Sequence, residues 1–170
     1  EYNMISVFLM NLGTNDGAWI DLPVDRKELS AFIRTNRIST PINEEYIIAD
    51  FENEDFPISI CEYTSVWELN EIAEEFFNLE DYEQEIIRAY MESCSSSFGE
   101  VKELIEDHDD FFLVSGIQDA YDLGYYLMEE TLAMIKNLDT VVRYFDYEAF
   151  GRDCLLEGNM YLTSYGCLFC

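Results

Sequence analysis

Cys167 and Cys170 stand at the spacing of half a metal site or of a redox dithiol. A tetrahedral zinc site needs four ligands. No second Cys-x-x-Cys occurs, and only Cys154 and His108 could complete the set. No βα unit follows the pair, as a thioredoxin-like thiolate would require, so ordinary reduced thiols are expected. His108 is the single histidine and is flanked by Asp107, Asp109 and Asp110. Its type suits a general base or a metal ligand, but the run lacks the DxDxDG spacing and final Glu of a calcium loop. It reads as a loop residue between a helix and a strand. Carboxylate pairs for glycosidase-type acid–base work arise by accident among 36 acidic residues, so their spacing discriminates nothing. There is no glycine-rich phosphate loop, no GxSxG elbow and no HExxH. The expectation is a binding protein, not an enzyme, with no catalytic residue, no cofactor and no metal.

What the sequence does concentrate is carboxylate. Thirty-six Asp and Glu against nine Lys and Arg give a formal net charge of -27 and a pI near 4.1. Residues 1–60 hold eleven acids and four bases, residues 61–103 twelve and two, and residues 104–170 thirteen and three. The charge is therefore no acidic tail; it is interleaved with core-forming residues throughout. From 38 to 87 there is no Lys or Arg at all, yet fifteen acids. Like charges four residues apart on a helix cost about 0.2–0.5 kcal/mol per pair, and this chain accepts that cost repeatedly. Such a surface neither neutralises nucleic-acid phosphates nor docks on an anionic membrane. Its expected partner is basic.

Glu68, Glu71, Glu74 and Glu75 lie at helical-neighbour spacing on one face. At about 1.5 Å per residue they span about 10 Å, roughly one acid per 2.6 Å, against about one charge per 1.7 Å of B-DNA axis. One helix face thus approaches the linear charge density of a duplex. A solvated face that only keeps the protein soluble is the plain alternative.

The elements that must carry these residues follow from periodicity and turn chemistry. Ile5–Leu12 and Ala18–Leu22 read as strands around a polar turn at 13–17, and Asp25 with Glu28 starts a helix running to about Asn36. Glu45–Phe51 reads as a strand and Ile58–Glu62 as a short extended stretch. Ser65 with Glu68 is a capping box for a helix whose inward face is Leu69, Ile72, Ala73 and Phe76. A second helix starts near Asp81, with Tyr82, Ile86, Ala89 and Tyr90 inward. Ser97 with Glu100 starts a third, through Ile105. Phe111–Ser115 reads as a strand with Gly116 as its turn, followed by a helix from about Gln118 to Lys136. Thr140 is the expected cap of a last helix, Val141–Asp153, which places Tyr144, Tyr147 and Gly151 on one side. A hairpin of 159–164 and 167–169, turning at Tyr165-Gly166, closes the chain. The apolar content of 49% and aromatic content of 15% supply a core. No run approaches the roughly 18 apolar residues of a spanning helix, no signal-peptide pattern occurs, and five cysteines suit reduced thiols, so a cytoplasmic protein is expected.

Several strings, in order, resemble the ArdA antirestriction proteins of conjugative elements. They are Gly17-Ala18-Trp19-Ile20, Ile48-Ala49-Asp50-Phe51-Glu52, Glu62-Tyr63-Thr64-Ser65 with Glu68-Leu69-Asn70, and Asp146-Tyr147-Glu148-Ala149-Phe150-Gly151-Arg152-Asp153 before a Gly158-containing hairpin. The resemblance extends from about Val7 to Phe169. Phe51 stands where the family usually has Tyr, Cys154 where an aliphatic residue is common, and the turn at 13–17 is short.

The resemblance implies an α+β fold drawn out as an elongated chain of three small consecutive domains. These would be 1–60 (sheet plus helix), 61–106 (helical) and 107–170 (α+β, with the interface of a homodimer). It implies a mimic of bent B-form DNA that competitively occupies the DNA-binding groove of type I restriction–modification enzymes, on their specificity and modification subunits, in the bacterial cytoplasm. An acidic module or chaperone for another basic DNA-binding protein is the alternative. The phosphate-mimicking acids would be Glu68, Glu71, Glu74, Glu75, Glu80, Asp81, Glu83 and Glu85, extended by Glu103, Glu106, Asp107, Asp109, Asp110, Asp119 and Asp122. Asp146, Tyr147, Glu148, Gly151 and Arg152 would hold the fold or an interface.

Overall fold

The structure is a computed structural model that describes residues 4–52, 56, 60–93, 98–132 and 143–170. Its fold is mixed α+β, with six α-helices and two three-stranded antiparallel sheets among the described residues. None of these helices is long and apolar enough to cross a membrane. The chain divides into two compact units, residues 1–84 with 96–106, and residues 85–95 with 107–170.

The first unit begins with β1 (Ile5–Asn11), in which alternate residues Ile5, Val7, Leu9 and Asn11 are buried, the period of a strand with one face on a core. β1 is central. It pairs antiparallel with β2 (Gly17–Leu22), Phe8 opposite Trp19, and with β3 (Tyr46–Glu52), Asn11 opposite Tyr46. The register shifts between Phe8 and Leu9. Asn11 is polar yet fully buried because all its bonds are made: its amide donates to Ile38 O and Asn43 O at 2.9 and 2.8 Å, and its Oδ1 accepts from Gly13 N and Thr14 N. It thereby shapes the turn that follows β1.

Between β2 and β3 lies α1 (Arg26–Thr35), capped by Asp25, whose Oδ1 accepts from Lys27 N at 2.7 Å. Leu29 and Ile33 are its buried positions. Two further helices of this unit, α2 (Val66–Phe77) and α4 (Phe98–Glu106), pack against each other. Asn70 of α2 is buried and clamps the loop before α1, accepting from Val24 N at 2.8 Å and donating to Val24 O at 3.0 Å.

α3 (Asp81–Ser93) begins in the first unit and from Glu85 belongs to the second. There β4 (Phe112–Val114), β5 (Met160–Thr163) and β6 (Gly166–Phe169) form a sheet in the order β4-β6-β5. Central β6 has apolar neighbours on both faces, since successive side chains point opposite ways. Leu168 joins Ile86 and Ala89 of α3 with Leu113, while Cys167 joins Ile117 and Leu123. The second cluster belongs to the layer of α5 (Ala120–Leu132) and α6 (Tyr147–Leu156), which pack closely against each other.

Several expectations from sequence are corrected. Ile60 and Cys61 are in no strand and Glu62 is in a turn, although Glu62 O accepts from Ile48 N at 3.1 Å; Ile58 lies outside the described residues. On α3 it is Gln84, not Tyr82, that faces inward: Tyr82 is 51% exposed, while Gln84 is buried with its amide donating to Leu79 O at 3.0 Å. The last helix does not run through from Val141. Phe145 and Asp146 are not helical, and Asp146 starts α6 by accepting from Ala149 N at 2.9 Å. Tyr144 therefore lies before the break and is exposed, whereas Tyr147 and Gly151 are buried. The closing hairpin turns at Ser164-Tyr165, and Gly166 already belongs to β6. Ser97, Ile135, Lys136, Thr140 and Val141 lie outside the described residues.

Candidate partner-binding surface

α2 shows most plainly how the sequence sets out its acids. Ser65 caps it, with Oγ accepting from Glu68 N at 3.4 Å. Val66, Leu69, Asn70, Ile72, Ala73 and Phe76 are then buried, and Phe76 meets Phe56 and Phe77 edge-on at centroid distances of 5.3 Å. With that face fixed by the core, helical spacing leaves Glu68, Glu71, Glu74 and Glu75 exposed. Glu74 and Glu75 sit in the last turn, which carries no basic residue. Negative charge there opposes the helix macrodipole by about 0.3–1 kcal/mol per residue before screening. Only Glu71 has an ion pair among the described residues, to Arg26 at 3.6 Å with both side chains largely exposed, so it contributes little to stability.

Beyond α2 the acids divide into exposed ones and ones that cap helices. Glu80, Asp81 and Glu85 are exposed at or near the start of α3, but Glu83 is half-buried and its Oε2 accepts from Glu80 N at 2.8 Å. Glu103 and Glu106 lie on the outer side of α4, whose Val101, Leu104 and Ile105 are buried. Asp107, Asp109 and Asp110 are exposed around a short 3-10 turn, with His108 Nε2 3.7 Å from Asp109 Oδ1. Asp119 and Asp122 form a reciprocal cap at the start of α5: Asp119 Oδ1 accepts from Asp122 N at 2.9 Å, and Asp122 Oδ2 accepts from Gln118 N at 3.1 Å. Asp119 stays exposed and Asp122 is half-buried. Thirteen of the fifteen candidate acids are thus exposed, all but Glu83 and Asp122. Nine belong to the first unit, and six (Glu85, Asp107, Asp109, Asp110, Asp119 and Asp122) to the second.

The remaining candidates cluster at the start of α6. Asp146 is its cap. Tyr147 is buried among Tyr121, Tyr125 and Phe145, with centroids 5.6, 5.4 and 5.0 Å away. Gly151 lies against α5, and Glu148 and Arg152 form an exposed pair one turn apart at 3.1 Å. Glu92 was not singled out from sequence. It holds the β5–β6 turn, its Oε1 accepting from Ser164 N at 2.8 Å and its Oε2 from Ser164 Oγ at 2.5 Å. Seventy-two residues separate that pair, and no local pattern signals it.

Among the described residues no group of three His, Cys, Asp or Glu side chains is placed to hold a metal ion. Cys167 is buried in the second unit's core, and burial pushes its thiol up to about 11, while Cys170 is exposed. What the described surface offers chemically is a high density of exposed carboxylates on a mostly helical support.

A comparison with curated proteins gives no match. The model of the antirestriction protein (ArdA) family matches residues 10–169, and the chain, with its acids borne outward on capped helices, belongs to that family.

Proposed function

We propose that this antirestriction protein is a DNA mimic. Its exposed carboxylates take the places of phosphates, engage Lys and Arg in the DNA-binding groove of a type I restriction–modification enzyme, and exclude DNA by competition. The observation that carries the reading is α2: four exposed acids within about 10 Å of helix, on a face fixed by six buried residues opposite. Charge-assisted hydrogen bonds from Arg and Lys to carboxylate are the strong members of their class. A preshaped decoy also avoids the roughly 1–6 kcal/mol of elastic energy needed to bend a duplex.

The reading has three further parts. The groove is contacted on both the specificity and the modification subunits. The chain acts as three small consecutive domains, 1–60, 61–106 and 107–170, and the last of them pairs with a second copy. Two chains, each of net charge -27, carry as much charge as about 92 Å of duplex at one charge per 1.7 Å. The setting is the cytoplasm of a bacterial host, and no cofactor or catalytic step is involved.

The test is inhibition of DNA cleavage by a purified type I restriction enzyme as the protein is titrated in. Inhibition that excess unlabelled duplex relieves supports the reading. Undiminished cleavage at a large molar excess of protein overturns it and favours another basic DNA-binding protein as the partner.

A further inference from the structure

Cations are scarce in this chain and unevenly placed. Four of the nine Lys and Arg fall between residues 26 and 37. Arg26, Ser30 and Arg34 recur every four residues on α1 and share a face, with Lys27 two turns before Arg34. Together with Asp25 and with Trp67 of α2, they line an open hollow of about 550 Å³.

The fold does not use these charges up. The Asp25 carboxylate is turned to its own helix, capping Lys27 N. Arg26 sits over the Trp67 ring at 5.7 Å and 3.6 Å from Glu71. Lys27 and Arg34 are exposed, and no carboxylate lies at ion-pair distance from either among the described residues. In a protein with thirty-six acids, Lys27 and Arg34, set in one hollow and left without an ion pair among the described residues, are free for an anion from outside.

We infer that this face of α1, with Trp67, is a second contact with the inhibited enzyme, one that receives Asp and Glu side chains from beside the basic groove. The inference rests on the decoy reading above. Isolated carboxylates on a folded protein fit the site better than a nucleic acid does. A continuous polyanion would bring its phosphates against exposed Glu28 and Glu71 and against a net charge of -27. The guanidinium forks match carboxylate geometry, and Trp67 supplies an apolar ring of the kind enriched at interface centres. A track of acids alone is satisfied by any basic groove. A cation cluster of opposite sign admits only a partner, and an orientation, that sets carboxylates against it.

The sign of one charge reversal tests this. The 170-residue chain carrying Lys27→Glu with Arg34→Glu is compared with the unaltered chain for displacement of labelled duplex from the purified type I enzyme. The Lys27→Gln/Arg34→Gln pair and a Glu68→Gln/Glu74→Gln/Glu75→Gln variant are run in parallel, and circular dichroism melts check each fold. The reversal makes the chain four charges more negative. Displacement should nevertheless weaken by about tenfold or more, with a smaller loss for the Gln pair. Unchanged or tighter displacement by both Lys27/Arg34 variants overturns the inference, since that is the result for a face turned to solvent or to the groove itself. Full potency of the triple Glu→Gln variant, or no displacement by the unaltered chain, instead overturns the decoy reading.

Discussion

Gly124 of α5 and Gly151 of α6 meet backbone to backbone. A Cβ on Gly151 would land on the Ala120 carbonyl oxygen and come within 2.9 Å of Gly124 N, and one on Gly124 would land on the Tyr147 carbonyl oxygen. The obstructing atoms are main chain and cannot rotate aside. Gly151→Ala is therefore expected to destabilise the second unit by about 3 kcal/mol or more, at the upper end of overpacking costs. Gly99, in α4, has no atom within 4 Å of where its Cβ would be. Gly99→Ala should be neutral or stabilise by up to about 1 kcal/mol. Urea unfolding of both variants beside the unaltered chain checks the contrast.

Asn70 is the corresponding joint in the first unit. Replacing it with Ala removes both side-chain bonds to Val24 and strands a part-buried backbone donor and acceptor. The expected loss is about 1–3 kcal/mol. Chemical denaturation followed by the fluorescence of Trp67, which lies on the same helix, reads it; an unchanged midpoint would mean that the two Asn70 bonds to Val24 do not hold the first unit together.

The thiols should separate by reactivity. Cys61 is exposed, and its hydrogen bond with Thr64 holds its thiol below the ordinary range, whereas burial raises those of Cys154 and, to about 11, Cys167. Because the thiolate is the nucleophile, Cys61 should be alkylated by iodoacetamide at lower pH than an ordinary thiol. Cys167 should stay unlabelled until the protein is unfolded. Peptide mass mapping across pH 6 to 9 distinguishes them.

Binding shared among many exposed acids is insensitive to any one of them. Glu68→Gln, Glu74→Gln and Glu75→Gln, made singly, should each shift half-inhibition by less than about threefold. The three together should shift it by about 10- to 30-fold. Dose–response inhibition assays at fixed salt measure both. Abolition of inhibition by a single change would mean one dominant contact rather than a distributed track.

Much of the fold was legible because local signals agreed with the core. Asp25 and Ser65 cap where they were expected to, the alternation of β1 buries Ile5, Val7 and Leu9, and the apolar face of α2 leaves its four glutamates outside. Reading failed where a polar side chain had work inside the protein. Gln84 displaced Tyr82 from the interior because its amide reaches Leu79 O, and Asn11 is buried because the chain returns four bonds to it. The same cause blurred the candidate surface. Glu83 and Asp122 have the charge of their neighbours but are half-buried and bonded to backbone amides. Glu92 is tied to a turn 72 residues away, beyond the reach of any periodicity. The hollow on α1 leaves no local sequence signal because its cations come from one helix and its ring from another.

The central claim is that carboxylates stand in for phosphates in a DNA-binding groove. Its most direct measurement is displacement of a labelled duplex carrying the recognition site from a purified type I restriction enzyme, titrated with this protein at two salt concentrations. Competition by charge predicts displacement at near-stoichiometric protein, weakening steeply as salt rises. Retention of the duplex at all protein concentrations, with the protein shown to be folded, would contradict it.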